Sequence, residues 1–126
     1  MKKNLLILSA LVCFMVTISS CQKDDSSTIN PYGAGNGEIS FYAVSTSSPR
    51  SPYPISIVVN GIHVGDISFG YSSGAPDCGA GGSAGVASYI GTPGYQNFTA
   101  TGANGGTVSG SVNLVVDQCS IAYITN

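Results

Sequence analysis

Few side chains in this 126-residue chain are able to do chemistry. His63 is the only histidine, cysteines stand at Cys13, Cys21, Cys78 and Cys119, and the acids are Glu38 and five aspartates. A Ser/His/Asp relay would have to run through His63, which follows Asn60-Gly61 and reads as a solvated strand residue beside a turn. A glycosidase needs two carboxylates about 5 to 9.5 Å apart. Glu38, Asp66, Asp77 and Asp117 are the candidates, and turn chemistry already accounts for those flanked by glycine, proline or loop residues. Asp77 and Asp117 each stand near a cysteine, but nothing enforces the oxygen count of a calcium site. The thiols show no Cys-x-x-Cys spacing and no histidine cluster, so neither a metal nor a cofactor is expected.

The N-terminus carries the clearest signal. Lys2 and Lys3, an apolar run from Leu5 to Ile18 and the small residues Ser19 and Ser20 form the three-part pattern of a secretory signal peptide. The run falls short of the roughly 20 residues needed to cross the hydrocarbon core as a helix. Residues 1–20 are therefore expected to be absent from the mature protein, and Cys13 leaves with them.

Ile18-Ser19-Ser20-Cys21 resembles the bacterial lipobox. The resemblance implies that the Cys21 thiol carries a lipid and that fatty acyl chains such as palmitate anchor the protein, because several buried chains together give stable membrane attachment. Gln22-Lys23-Asp24-Asp25 resembles the export signal of Bacteroidetes-type lipoproteins. That likeness implies an outer-membrane protein facing the cell exterior. Cys78 and Cys119 are then the remaining thiols of an exported chain, and a disulfide between them is expected. It would close a loop of about 40 residues and stabilise the fold by roughly 4 kcal/mol on the chain-entropy model. Oxidised, neither sulfur serves a Cys/His pair.

Without residues 1–20 the cations are Lys23 and Arg50, against Glu38, Asp24, Asp25, Asp66, Asp77 and Asp117. No basic stripe exists to neutralise phosphates, which argues against nucleic acid as a partner. Residues 21–37 are rich in Ser, Gly, Asn and Asp and read as a lipidated flexible tether. Residues 38–126 suit one small domain.

That domain reads as all-β, a single small antiparallel β-sandwich with one disulfide. Ile39 and Phe41 alternate with polar neighbours, as do Ile55, Ile57 and Val59, and Val108, Val112, Leu114 and Val116 share one parity. Asn60-Gly61 between apolar runs predicts a tight hairpin. The parity then shifts to Ile67 and Phe69, which predicts a bulge at Gly65-Asp66. A second hairpin is expected at Asn104-Gly105-Gly106, between a strand near Tyr95 to Ala103 and one from Thr107 to Val116, with Gly110 on the inward parity. After Cys119 either Ile121 and Tyr123 or Ala122 and Ile124 face inward. The glycine-rich stretch Tyr71 to Ser83 surrounds Cys78 and is expected to be tied down by the disulfide.

Ile57-Val58-Val59-Asn60-Gly61 with Val64-Gly65, then Thr92-Pro93-Gly94-Tyr95 leading into Phe98-Thr99-Ala100, resembles the prealbumin-like sandwich modules of bacterial surface proteins, the PEGA and carboxypeptidase-regulatory-like domains. The likeness covers roughly residues 55 to 125 and implies an accessory, non-enzymatic unit. The expected function is a surface-anchored, non-catalytic structural or protein-interaction module of the cell envelope. The alternative is a small glycan-binding lipoprotein that uses Tyr53, Tyr71 and Tyr95 on adjacent loops, since tyrosine pairs an apolar ring with a polar tip.

Overall fold

The computed structural model describes residues 31–45 and 51–125. Cys21 and the Gln22, Lys23, Asp24 and Asp25 segment lie outside the described residues. Among the described residues seven strands are formed: β1 Gly37–Ala43, β2 Ile55–Val59, β3 Ile62–Ile67, β4 Ala87–Gly91, β5 Gly94–Gly102, β6 Thr107–Leu114 and β7 Cys119–Ile124. They make two sheets, one of order β4-β1-β7 and one of order β3-β2-β5-β6. The described residues are all-β, as the short alternating runs predict.

The inward faces meet in one core. Ile39, Phe41 and Ala43 of β1, Ile55, Ile57 and Val59 of β2, Leu114 of β6, and Ala122 and Ile124 of β7 are buried together. The Phe41 and Phe98 rings touch across the sheets with centroids 5.2 Å apart. Both hairpins form as expected. Asn60 and Gly61 adopt φ of 49° and 82°, the paired positive angles that a type I′ turn requires and that asparagine and glycine tolerate. The second turn joins β5 to β6 through Asn104 and Gly105, closed by a bond from Gly105 N to Gly102 O.

Three details differ from the sequence-based expectation, and one open choice is settled. All strand pairs are antiparallel except β1 with β7, which run parallel from Glu38 opposite Cys119 to Ala43 opposite Ile124. The chain between them passes through the other sheet, so no short turn dictates their relative direction. The β2–β3 bulge falls one residue early: Val58 faces His63 and Ile57 faces Gly65, so Val64 is the extra residue. Phe69 and Val116 do not continue inward faces. Strand β3 ends at Ile67 and β6 at Leu114; Phe69 is exposed at a bend and Val116 on a turn. Strand β7 settles the open choice, burying Ala122 and Ile124 and exposing Ile121 and Tyr123.

Candidate functional site

The outer face of the three-stranded sheet holds the most distinctive surface. Because β1 turns Ile39, Phe41 and Ala43 to the core, Glu38, Ser40 and Tyr42 lie on its outer side. Register places Ile90 and Cys119 beside Glu38, Ser88 and Ile121 beside Ser40, and Tyr123 beside Tyr42. One half of this face is covered and the other is aromatic.

The covered half lies beneath the glycine-rich loop. Cys78 and Cys119 are bonded, with Cα atoms 5.9 Å apart, and this staple holds the loop against the sheet. Gly81 sits so close to the Ser88 side chain that a Cβ there would collide with it, and that Cβ would lie 3.6 Å from Glu38 Oε1. Ser40 is fully buried and Glu38 is only 4% exposed, although both belong to an outer face. Ser40 Oγ donates to Glu38 Oε1 at 3.2 Å and lies 3.5 Å from Ser88 Oγ. Beside them a groove of about 330 Å³ opens between Pro31, Tyr32, Gly79, Gly81 and Ile90, with Glu38 in its wall.

The open half is a strip of rings. Tyr42 lies 5.4 Å from Tyr123 and 6.2 Å from Tyr71, and Tyr71 lies 5.8 Å from Phe69, centroid to centroid. Tyr71 is fastened to the edge of β1, its N–H donating to Ala43 O and its carbonyl accepting from Ser45 N. Phe69 and Tyr123 remain about half exposed.

The three tyrosines expected to form a ligand ridge are divided. Tyr53 and Tyr71 share one end of the sandwich: the Tyr53 hydroxyl donates to Val44 O at 3.1 Å, and Val44 bridges to Tyr71. Burial, aided by Tyr123 nearby, holds the Tyr53 phenol above its usual range. Tyr53 also lines a cavity of about 60 Å³ with Ala43, Ile55 and Tyr123, room for water and little else. Tyr95 is on β5, not on a loop, and is 77% exposed. Ile55 pairs with Gly102 at the far end of β5, so Tyr95 lies about 23 Å along the strand from Tyr53's end at about 3.3 Å per residue. Its surroundings are polar, a lattice of Asn97, Thr99, Ser109 and Ser111.

Tyr42 and Tyr123 complete the strip, and sequence reasoning did not select them. The sequence leaves open whether Tyr123 faces inward or outward. The signal available was the aromatic at the outward parity of β1; its neighbour across the parallel pair was not visible without β7's register.

The other chemical candidates separate. His63 Nε2 lies 2.9 Å from Asp66 Oδ1, and both side chains are about half exposed, a surface pair on the hairpin. Asp117 occupies a turn at φ of 58°. Among the described residues no group of three or more His, Cys, Asp or Glu side chains is placed to hold a metal ion. Comparison with protein-family models and with curated proteins found no match to this chain.

Proposed function

We propose that this chain is a lipid-anchored protein of the bacterial outer membrane, facing the cell exterior, and a non-catalytic structural or protein-interaction module of the envelope. The lipobox-like Ile18-Ser19-Ser20-Cys21 and the Gln22-Lys23-Asp24-Asp25 segment support the location. The single observation that supports the role is the half-open strip Phe69, Tyr71, Tyr42 and Tyr123 on one sheet face, since aromatic rings are enriched where proteins meet. A prealbumin-like accessory domain, as the motif around Asn60-Gly61 suggests, fits this reading.

The glycan-binding alternative draws on the same rings, because tyrosine faces also stack on sugars. Tyr95 stands apart from that cluster, and the chain has no tryptophan.

The test is a photo-crosslinking residue placed at Tyr123 in producing cells. A discrete envelope-protein adduct is expected, with none from the same group at Asn97 on the opposite sheet. Absence of an adduct, together with saturable polysaccharide binding lost on Tyr71→Ala, replaces this reading with the alternative. Protease added to intact cells should destroy the domain, and mass spectrometry should find acyl chains on Cys21.

A further inference from the structure

Glu38 is a carboxylate almost without solvent. Its exposure is 4%, and its recorded side-chain partner is the Ser40 hydroxyl. A buried carboxylate normally meets a cation or several N–H donors, because desolvation otherwise costs several kcal/mol. No Lys or Arg occurs among the described residues, where the charged groups are Glu38, Asp66, Asp77 and Asp117 beside a single histidine. His63 is already engaged with Asp66 on the other sheet. Among the described residues, therefore, no cation stands against the Glu38 carboxyl.

The groove beside it has matching chemistry. Its volume, about 330 Å³, is at the small end of ligand sites. Pro31, Tyr32 and Ile90 give its lining apolar surface, and Gly79 and Gly81 add bare backbone. An alkyl stem would lie along Ile90 and Tyr32 and place its charged head at Glu38, the arrangement lysine adopts when its methylenes are buried. The disulfide and the Gly81–Ser88 contact tie the loop that carries Gly79 and Gly81 to the sheet.

We infer that this groove receives a primary ammonium on a flexible alkyl stem, the side chain of a lysine presented by a protein partner. The inference rests on the protein-interaction reading above. Glu38 and Tyr42 are both outward on β1 and about 13 Å apart at about 3.3 Å per residue, so the aromatic strip and the groove lie within the span of one protein partner.

The probe is Nα-acetyl-lysine methylamide, titrated into the full chain with its disulfide intact and followed by NMR at Ile90 and Ser88. Saturable shifts in the millimolar range are expected, with none from the norleucine analogue, and Glu38→Gln should weaken binding about tenfold or more. A second variant guards against misfolding: Ile90→Lys, on an exposed position directly opposite Glu38, supplies the cation internally and should abolish binding while raising thermal stability. No saturable shift, an equal response to norleucine, indifference to both variants, or binding of glucose in place of the amine overturns the inference. Crosslinking at Tyr123 reads the aromatic strip separately, so a silent groove with a positive adduct removes this site and leaves the proposed function standing.

Discussion

Asn60 Nδ2 donates to Gln96 Oε1 at 2.6 Å, joining the β2–β3 turn to the start of the inward face of β5. Gln96 is only 7% exposed, and its Nε2 in turn donates to the carbonyls of Thr92 and Gly94 at 3.1 and 3.2 Å. Asn60 also exchanges bonds with the Asn97 backbone, so one turn residue is held on every side. A polar residue at the edge of the core is thereby satisfied, and it sets the position of the hairpin.

Gln96→Ala strands Asn60 Nδ2 and two carbonyls, and should lower stability by about 1–3 kcal/mol. Asn60→Gly retains the positive φ and should lower it less, by a few tenths to about 1 kcal/mol. Urea midpoints at unchanged m-value check both.

Gly110 lies against the Phe98 ring, where a Cβ would come within 2.9 Å of Cε1 and 3.0 Å of Cζ. Phe98 is itself packed on Phe41, so its ring would have to shift against that contact. Gly110→Val should therefore destabilise the fold by about 1–3 kcal/mol, whereas Ser111→Val, on the outward side of the same strand, should stay within about 0.5 kcal/mol. Thermal unfolding of the pair distinguishes them.

The Cys78–Cys119 bond closes a separation of 41 residues. Replacing both cysteines with serine should remove roughly 4 kcal/mol on the chain-entropy model. Alkylation followed by mass spectrometry should find both thiols unreactive until a reductant is added. Labelling without reductant would contradict the bond.

Tyr53 titrates above its ordinary 10.0 because burial, and secondarily Tyr123, disfavour its phenolate. A phenol with a folded value above its unfolded one contributes stability that is complete below about 10 and lost as pH rises through the folded value. Stability should accordingly fall as pH climbs past about 10, and Tyr53→Phe should show a shallower fall. The variant also loses the bond to Val44 O and should be less stable by about 0.5–1.5 kcal/mol at neutral pH. Denaturation across alkaline pH, alongside absorbance titration of the phenols, measures both effects.

Strand content and both hairpins were legible along the chain because each rests on local chemistry, and the disulfide because Cys78 and Cys119 are the two thiols within the residues read as the domain. Ile55, Ile57 and Val59 alternate at the period of a strand, and Asn60-Gly61 is the dipeptide that accepts two positive φ angles. The bulge was legible only to within a residue, since a parity shift marks that an extra residue exists and not which one leaves the ladder. Ends of strands were harder. Val116 keeps the apolar parity of β6, yet the chain turns at Val116 and Asp117, with Asp117 N bonded to Asn36 O.

What sequence alone determined is therefore the alphabet of local conformations, which segments extend and where the hairpins turn, together with the pairing of Cys78 with Cys119. Only the tertiary structure decided that β7 lies parallel beside β1, that Tyr123 meets Tyr42 while Tyr95 stands far off, and that a loop buries Glu38 on an outer face. The reason is physical. Periodicity and turn preference act over a few residues, whereas the choice of neighbouring strand depends on how two whole apolar faces pack together, a balance that no short segment contains.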